Sequence, residues 1–178
     1  MSVEIETKLK VKSFAKVRQR LNELGAKFME EQIQNDYYFD NSSCKLLNSD
    51  KCLRLRQIHI GKSKRYLLTF KGPKQKNQIK KRYEVEVEIK QAGPMRKLLS
   101  MLGYEKVLSF KKKRQIWQLK GCEVALDRLP LLGNFIEIEG PNEKKITDVQ
   151  RNLGLTNLQH LPQSYASLME EKLRQRQA

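Results

Sequence analysis

"VEIETKLKV", residues 3–11, alternates charged and apolar side chains: Glu4, Glu6 and Lys8 fall on one parity, Val3, Ile5 and Leu9 on the other. Side chains two apart in an extended strand share a face, roughly 6.7 Å apart. The stretch therefore predicts a β-strand carrying two carboxylates and an ammonium in a row. "RYEVEVEIK", residues 82–90, repeats the device, with Arg82, Glu84, Glu86 and Glu88 backed by Val85, Val87 and Ile89. Near the far end, Glu137 and Glu139 alternate with Ile136 and Ile138. Bases follow the same rule on other strands: Arg54 and Arg56 alternate with Leu53 and Leu55, Lys112 and Arg114 share a parity, and Lys71 ends an apolar run. Taken singly, each row is what a half-buried antiparallel strand shows to water. Taken together, three acidic rows on one surface repel unless cations sit among them. Periodicity leaves open which face points inward.

Helix signals separate the strands. Ser13 is placed as the N-cap of a helix with Phe14, Val17, Leu21 and Leu24 at helical spacing, stopped by Gly25. Gly93 and Pro94 open a second, with Met95, Leu98, Leu99 and Leu102 before Gly103, and two more are expected over 142–153 and from Ser164. "LNELGAKF" (21–28) and "LSMLGYEK" (99–106) both end a helix on Leu-Gly and start a strand. The order of strand, helix, long strand and two further strands recurs around them. This predicts an α+β fold in one domain, residues 1–178, with two pseudo-repeated halves of about 1–78 and 79–178. Each half has four strands, with hairpins at Gly61–Lys62 and Lys120–Gly121.

Composition bounds the function. The chain's 178 residues, 39% of them hydrophobic, suffice for a packed core. Lys and Arg number 36 against 20 Asp and Glu, so a net charge of +16 favours polyanionic partners. No apolar run approaches the roughly 18 residues of a membrane span, and the opening strand is unlike a signal peptide, so a cytoplasmic protein without membrane contact is expected. Cys44, Cys52 and Cys122 have no paired spacing and read as buried or incidental thiols. His59 and His160 show no relation that suggests zinc or catalysis. An aromatic content of 7% without an RNA-recognition run argues against nucleic acid.

Clustered carboxylates are the ligands of hard cations such as Mg²⁺ or Mn²⁺, and clustered guanidinium groups suit phosphate oxygens. "EIETK" (Glu4, Glu6, Lys8) resembles the Glu-x-Glu-x-Lys signature of CYTH domains, also called triphosphate tunnel metalloenzymes. "LRLRQ" (Arg54, Arg56), "LTFKG" (Lys71), "RYEVEVEI" (Arg82, Glu84, Glu86), "KKR" (Lys112, Arg114), "LDRL" (Asp127) and "LGNFIEIE" (Glu137, Glu139) follow in that family's order. The resemblance implies an eight-stranded antiparallel β-barrel forming a triphosphate tunnel, its charged residues inward and its apolar residues outward beneath surface helices. It implies that Arg54, Arg56, Lys71, Arg82, Lys112 and Arg114 clamp a nucleoside or inorganic triphosphate. Glu4, Glu6, Glu84, Glu86, Glu137 and Glu139 are the expected ligands of Mg²⁺ or Mn²⁺. Lys8, Arg56 and Arg114 are the expected catalytic residues, Lys8 binding phosphate or holding the nucleophile. Asp127, Asp36 and Tyr165 are further candidates, Asp127 as a group that positions a base.

Two reactions share such a cage. "QNDYYFD" (34–40) and "SYASLMEEKL" (164–173) resemble segments of the class IV adenylyl cyclase-like members, which convert ATP to cyclic AMP and pyrophosphate. A triphosphatase acting on inorganic triphosphate, ATP or thiamine triphosphate is the alternative. A polyphosphate- or nucleic-acid-binding module without turnover is the third reading. Tyr37, Tyr38 and Tyr165 equally suit core aromatics with satisfied hydroxyls. Gly72–Arg82 has no phosphate-loop spacing and reads as a basic connecting loop. The C-terminal helix, with Leu168, Met169 and Leu173, either caps the barrel or pairs with another copy, leaving monomer and homodimer open.

Overall fold

The computed structural model describes residues 2–75 and 79–177. Its strands are β1 (Ser2–Val11), β2 (Lys27–Asp40), β3 (Cys52–Ile60), β4 (Ser63–Lys71), β5 (Lys80–Ile89), β6 (Glu105–Leu119), β7 (Cys122–Leu129) and β8 (Gly133–Glu139). Their hydrogen-bonded order, β1-β5-β4-β3-β2-β6-β7-β8, closes into an antiparallel barrel. The helices are α1 (Ala15–Glu23), α2 (Lys45–Asn48), α3 (Ala92–Met101), α4 (Glu143–Asn152) and α5 (Tyr165–Gln177). The eight-stranded barrel with helices expected from the resemblance is the fold observed. The chain forms two compact units that interleave along the sequence. The first comprises Met1–Val3, Gln32–Gln75 and Arg82–Lys111; the second comprises Glu4–Glu31, Lys76–Lys81 and Lys112–Ala178.

In the first unit β2, β3, β4 and β5 pair in sequence, with Asp36 opposite Arg56, Arg56 opposite Leu67, and Thr69 opposite Glu86. Phe39 and Leu55 pack with Ala92 and Leu99 of α3, with Leu53, Leu68 and Met95 at the margin. The apolar parity of β2 and β3 thus faces the helix, and the other parity carries the charges.

In the second unit β6, β7, β8 and β1 pair in sequence. Leu9, Trp117, Val124, Ile136 and Ile138 pack with Val17 and Leu21 of α1 and Ile146 and Val149 of α4. Here too the greasy side of the sheet lies under helices. The opposite parity, Lys8, Asp127 and Glu137, is also buried.

Helix boundaries follow cap chemistry. Residue 14, not Ser13, occupies the N-cap of α1, although Ser13 Oγ still accepts from the Ala15 amide at 3.2 Å. Gly25, at φ +67°, ends that helix while the Ala26 amide donates back to Leu21 O. Helix α3 starts at Ala92, ahead of the expected Gly93 and Pro94. Asn142 Oδ1 accepts from the Lys145 amide at 2.9 Å, and Ser164 Oγ from the Ser167 amide at 3.1 Å, so α4 and α5 begin where expected. Helix α2 was not foreseen. The buried Asp40 carboxylate creates it by accepting from the amides of Asn41, Leu46 and Leu47.

Gly61–Lys62 joins β3 to β4 and Lys120–Gly121 joins β6 to β7, both as expected. Lys120 and Gly121 both adopt positive φ, as a tight two-residue hairpin of this kind requires. The basic segment 72–82 is seen at its ends: Lys74 bonds Asp50, and Ile79 enters the second unit's core, while 76–78 lie outside the described residues. All three cysteines are free thiols. Among the described residues no helix is long and apolar enough to cross a membrane.

Gly140, at the exit of β8, is required by a close approach. A Cβ there would stand 2.7 Å from Cys122 Sγ and 3.1 Å from Ile146 Cγ1. Gly140→Ala should therefore lower stability by about 1–3 kcal/mol, read from a denaturant midpoint. Adding Cys122→Ala should recover part of that loss; an additive double variant would show that the contact is not the cause.

Candidate functional site

The charged parity of the second unit is organised around one carboxylate. Asp127 is wholly buried on β7 and accepts from Arg114 Nε at 2.7 Å, Lys112 Nζ at 3.1 Å and Tyr165 Oη at 2.9 Å, with Arg114 Nη2 as a further donor. Burial pushes its carboxyl up, but Arg114 and Lys112 more than offset this and hold it below the ordinary carboxylate range. Arg114 Nη2 also bonds Glu137, and Lys8 Nζ lies 3.4 Å from the same carboxylate. Burial works against the Glu137 charge as well, yet Arg114, Lys8 and Lys112 hold its carboxyl well down. Lys8 is fixed from three sides: Nζ donates to Gln163 O at 2.9 Å, faces Glu137, and stands 4.1 Å from the Tyr165 ring centroid. Burial lowers its pKa, with Glu137 and Glu6 pulling the other way. Lys112 approaches the same ring to 4.8 Å. Burial, then Asp127, raises the Tyr165 phenol well above its usual range, so it stays neutral and donates.

Three more carboxylates lie abreast on this face. Glu139 is opposite Glu6 on β1 and Glu123 on β7. Glu6 is buried and bonded by Lys80 Nζ. Burial pushes the Glu123 carboxyl up, with Arg114 opposing and Glu137 and Asp127 adding to the rise.

The first unit carries its own network. Arg56 forms a fork on Asp36, Nε to Oδ1 at 2.6 Å and Nη2 to Oδ2 at 2.8 Å, with both residues buried. One row further, Arg54 Nη2 donates to Thr69 Oγ1 at 3.1 Å, and that hydroxyl donates to Glu86 Oε2 at 2.7 Å. Lys71 Nζ meets Glu84 Oε2 at 2.7 Å. Burial opposes the Arg54 charge, but Asp36, Tyr38, Cys52 and Glu84 together outweigh it, and its pKa is raised. Tyr38, opposite Arg54, stacks on Phe110 with ring centroids 5.5 Å apart.

Both networks are what inward rows of acid and base require, and comparison with known proteins follows the same line. The CYTH domain family matches residues 2–165. The chain belongs to the CYTH family. The "Putative adenylate cyclase MJ0240" of Methanocaldococcus jannaschii is 33% identical over 147 residues, covering 83% of this chain and 79% of that protein. "Adenylate cyclase CyaB" of Aeromonas hydrophila is 27% identical over 154 residues, 82% of this chain and 76% of that protein. Among solved structures, the PH1819 protein of Pyrococcus horikoshii superposes with a TM-score of 0.80 at 29% identity, covering 95% of this chain and 99% of that one.

The CYTH signature residues Glu4, Glu6 and Lys8 are all buried, and they share the second unit with Lys112, Arg114, Asp127, Glu137 and Tyr165. The first unit holds Asp36, Arg54, Arg56, Lys71, Arg82, Glu84 and Glu86. Glu139 and Glu86 are both exposed, so neither is enclosed as the other acids are. Among the described residues, no three His, Cys, Asp or Glu side chains are grouped to hold a metal. Glu6 is engaged by Lys80, and Glu137 by Arg114 and Lys8. The donor set is nonetheless all carboxylate oxygen, which suits a hard divalent ion. Sequence reasoning missed Lys80, Thr69 and Glu123. Lys80 was legible, because it has the parity of Arg82 on the same strand; Thr69 and Glu123 gave no charge pattern to notice.

Asp127→Asn should cost about 3 kcal/mol at neutral pH, since it strands buried cations. The sign with pH follows from its depressed pKa: the contribution is complete above the ordinary carboxylate range and is lost as pH falls through the depressed value. Denaturant titrations between roughly pH 5 and pH 2 should accordingly show a flatter acid limb in Asp127→Asn than in the wild type.

Proposed function

We propose that this CYTH protein is a divalent-metal-dependent enzyme acting on a triphosphate, and that it converts ATP to cyclic AMP and pyrophosphate. The observation that supports this best is the dense burial of paired charge on the face opposite the apolar core. A fold that needed only stability gains little from such pairs, because desolvation consumes most of their attraction. Groups held ready to exchange carboxylate partners for phosphate oxygens explain their retention. The names of the two curated relatives favour the cyclase reaction.

Arg54 and Arg56 present guanidinium forks to phosphate oxygens, with Lys71 and Arg82 as further cationic groups. In the second unit Lys112 and Arg114 neutralise charge that develops as the phosphorus is attacked. Lys8, held by Gln163 O and the Tyr165 ring, positions the attacking oxygen or binds phosphate. Tyr165, through Asp127, fixes the aim of Lys112 and Arg114. Glu4, Glu6, Glu137 and Glu139 would hold Mg²⁺ or Mn²⁺, with Glu84 and Glu86 as further candidates. Such an ion, when bound, supplies charge neutralisation at phosphate and a lower pKa for the attacking hydroxyl. The ribose 3′-hydroxyl gives up its proton to solvent, its oxygen bonds to the α-phosphorus, the bond from that phosphorus to the α,β-bridging oxygen breaks, and pyrophosphate leaves.

Phosphorus-31 NMR of the protein with ATP, and separately with inorganic triphosphate, in Mg²⁺ or Mn²⁺, should show cyclic AMP and pyrophosphate from ATP and silence with EDTA. Orthophosphate with ADP or pyrophosphate would make it a triphosphatase instead. No turnover, with chelator-resistant binding, would make it a binding module. Arg56→Ala would leave Asp36 buried without its fork and cost about 3–5 kcal/mol. Arg56→Lys is the cleaner variant: it keeps the charge, and turnover should fall at least about tenfold with an unchanged circular dichroism spectrum. Wild-type activity would remove Arg56 from the site.

A further inference from the structure

The charged face of the first unit contains two polar atoms that the protein leaves unmatched. Gln34 Oε1 and Arg54 Nε are both buried and find no hydrogen-bond partner among the described residues. Gln34 is only 2% exposed, and its amide nitrogen is committed to Gln32 Oε1. Gln32, Gln34, Asp36 and Tyr38 share one parity of β2, and Tyr38 is the register partner of Arg54. The orphan acceptor on β2 and the orphan donor on β3 therefore stand four positions apart along the β2–β3 ladder, roughly 13 Å, with the Asp36–Arg56 fork between them.

Leaving a buried acceptor unmatched costs about 1–3 kcal/mol, so a group that donates to it on binding is favoured. Arg54 Nε asks for an acceptor, and phosphate oxygen supplies one. Gln34 Oε1 asks for an N–H or O–H, which an ionised phosphate chain does not have. A single phosphate group also cannot reach both atoms. A nucleoside attached to a phosphate chain has both ends. Ile58, buried and opposite Gln34 in the β2–β3 register, provides an apolar surface beside the acceptor, as a base or ribose needs.

We propose that Gln34, braced by Gln32, reads the nucleoside of a nucleoside triphosphate by accepting a hydrogen bond from it. Gln34 thereby separates nucleotides from inorganic triphosphate. This deepens the triphosphate reading and rests on it. Gln34 is a specificity residue, distinct from the cationic groups that hold phosphate.

The test is calorimetric titration in EDTA, so that metal-dependent turnover is suppressed. Gln34→Met, which keeps the length and removes the acceptor, should weaken ATP binding about tenfold and leave inorganic triphosphate within about twofold. Ligands changed on the wild-type protein avoid any folding defect of the variant. Inosine triphosphate lacks the 6-amino donor, and 2′- and 3′-deoxy ATP each lack one hydroxyl. One of them should bind the wild type about tenfold more weakly than ATP, and should be insensitive to Gln34→Met. Equal loss of ATP and inorganic triphosphate in Gln34→Met, or equal wild-type affinity for all the nucleotides, overturns the proposal. If the wild type binds neither ATP nor inorganic triphosphate, in EDTA or in excess Mg²⁺, the triphosphate reading itself falls.

Discussion

A carboxylate removed from water must be surrounded by donors, and Asp127 shows how much structure that demand organises. Its oxygens take hydrogen bonds from Lys112, Arg114 and Tyr165. Those three side chains come from β6 and from the start of α5, so one buried charge ties a strand pair to the C-terminal helix. Arg114 carries the constraint to Glu137, and Glu137 carries it to Lys8. The first unit solves the same problem separately, with Asp36 and Arg56 as its central pair. Wherever a charge is buried its partner is specified, and the partner's strand register is specified with it.

This constraint reverses the usual placement of the core. Sheets in small domains commonly bury their apolar parity against one another or against helices and leave the polar parity in water. On β1, β3, β7 and β8 the apolar parity meets helices while the charged parity is buried as well, whereas on β5 Val85, Val87 and Glu86 are exposed. Glu4, Glu6 and Lys8 are only 8%, 5% and 3% exposed. The alternation in "VEIETKLKV" declared a strand with two distinct faces, and that much was legible. Which face would be enclosed was not, because a period of two is the same for both outcomes. Only the ordered series of motifs supplied the answer.

Elsewhere legibility depended on how local the cause was. Helices α4 and α5 start at Asn142 and Ser164, as their caps announce, since the cap and its amide are three residues apart. Helix α2 depends on Asp40 reaching six and seven residues ahead, a contact no short-range rule anticipates. The bonding of Arg56 to Asp36 spans 20 positions and joins neighbouring strands. Sequence marked both residues as candidates without revealing that each is the other's counter-charge. Glu139 carries the right parity yet sits exposed at the last residue of β8, because parity sets the direction of a side chain and not the depth at which its strand ends.

Trp117 is the chain's single tryptophan, and it lies on the apolar parity of β6, edge-on to Phe28 with ring centroids 5.0 Å apart. Its indole N–H is buried and has no acceptor among the described residues. Intrinsic fluorescence is therefore an optical reporter of the helix-covered side of the second unit. Its emission shifts when that layer loosens and admits water, while events among the charged side chains behind the strand go largely unseen by it.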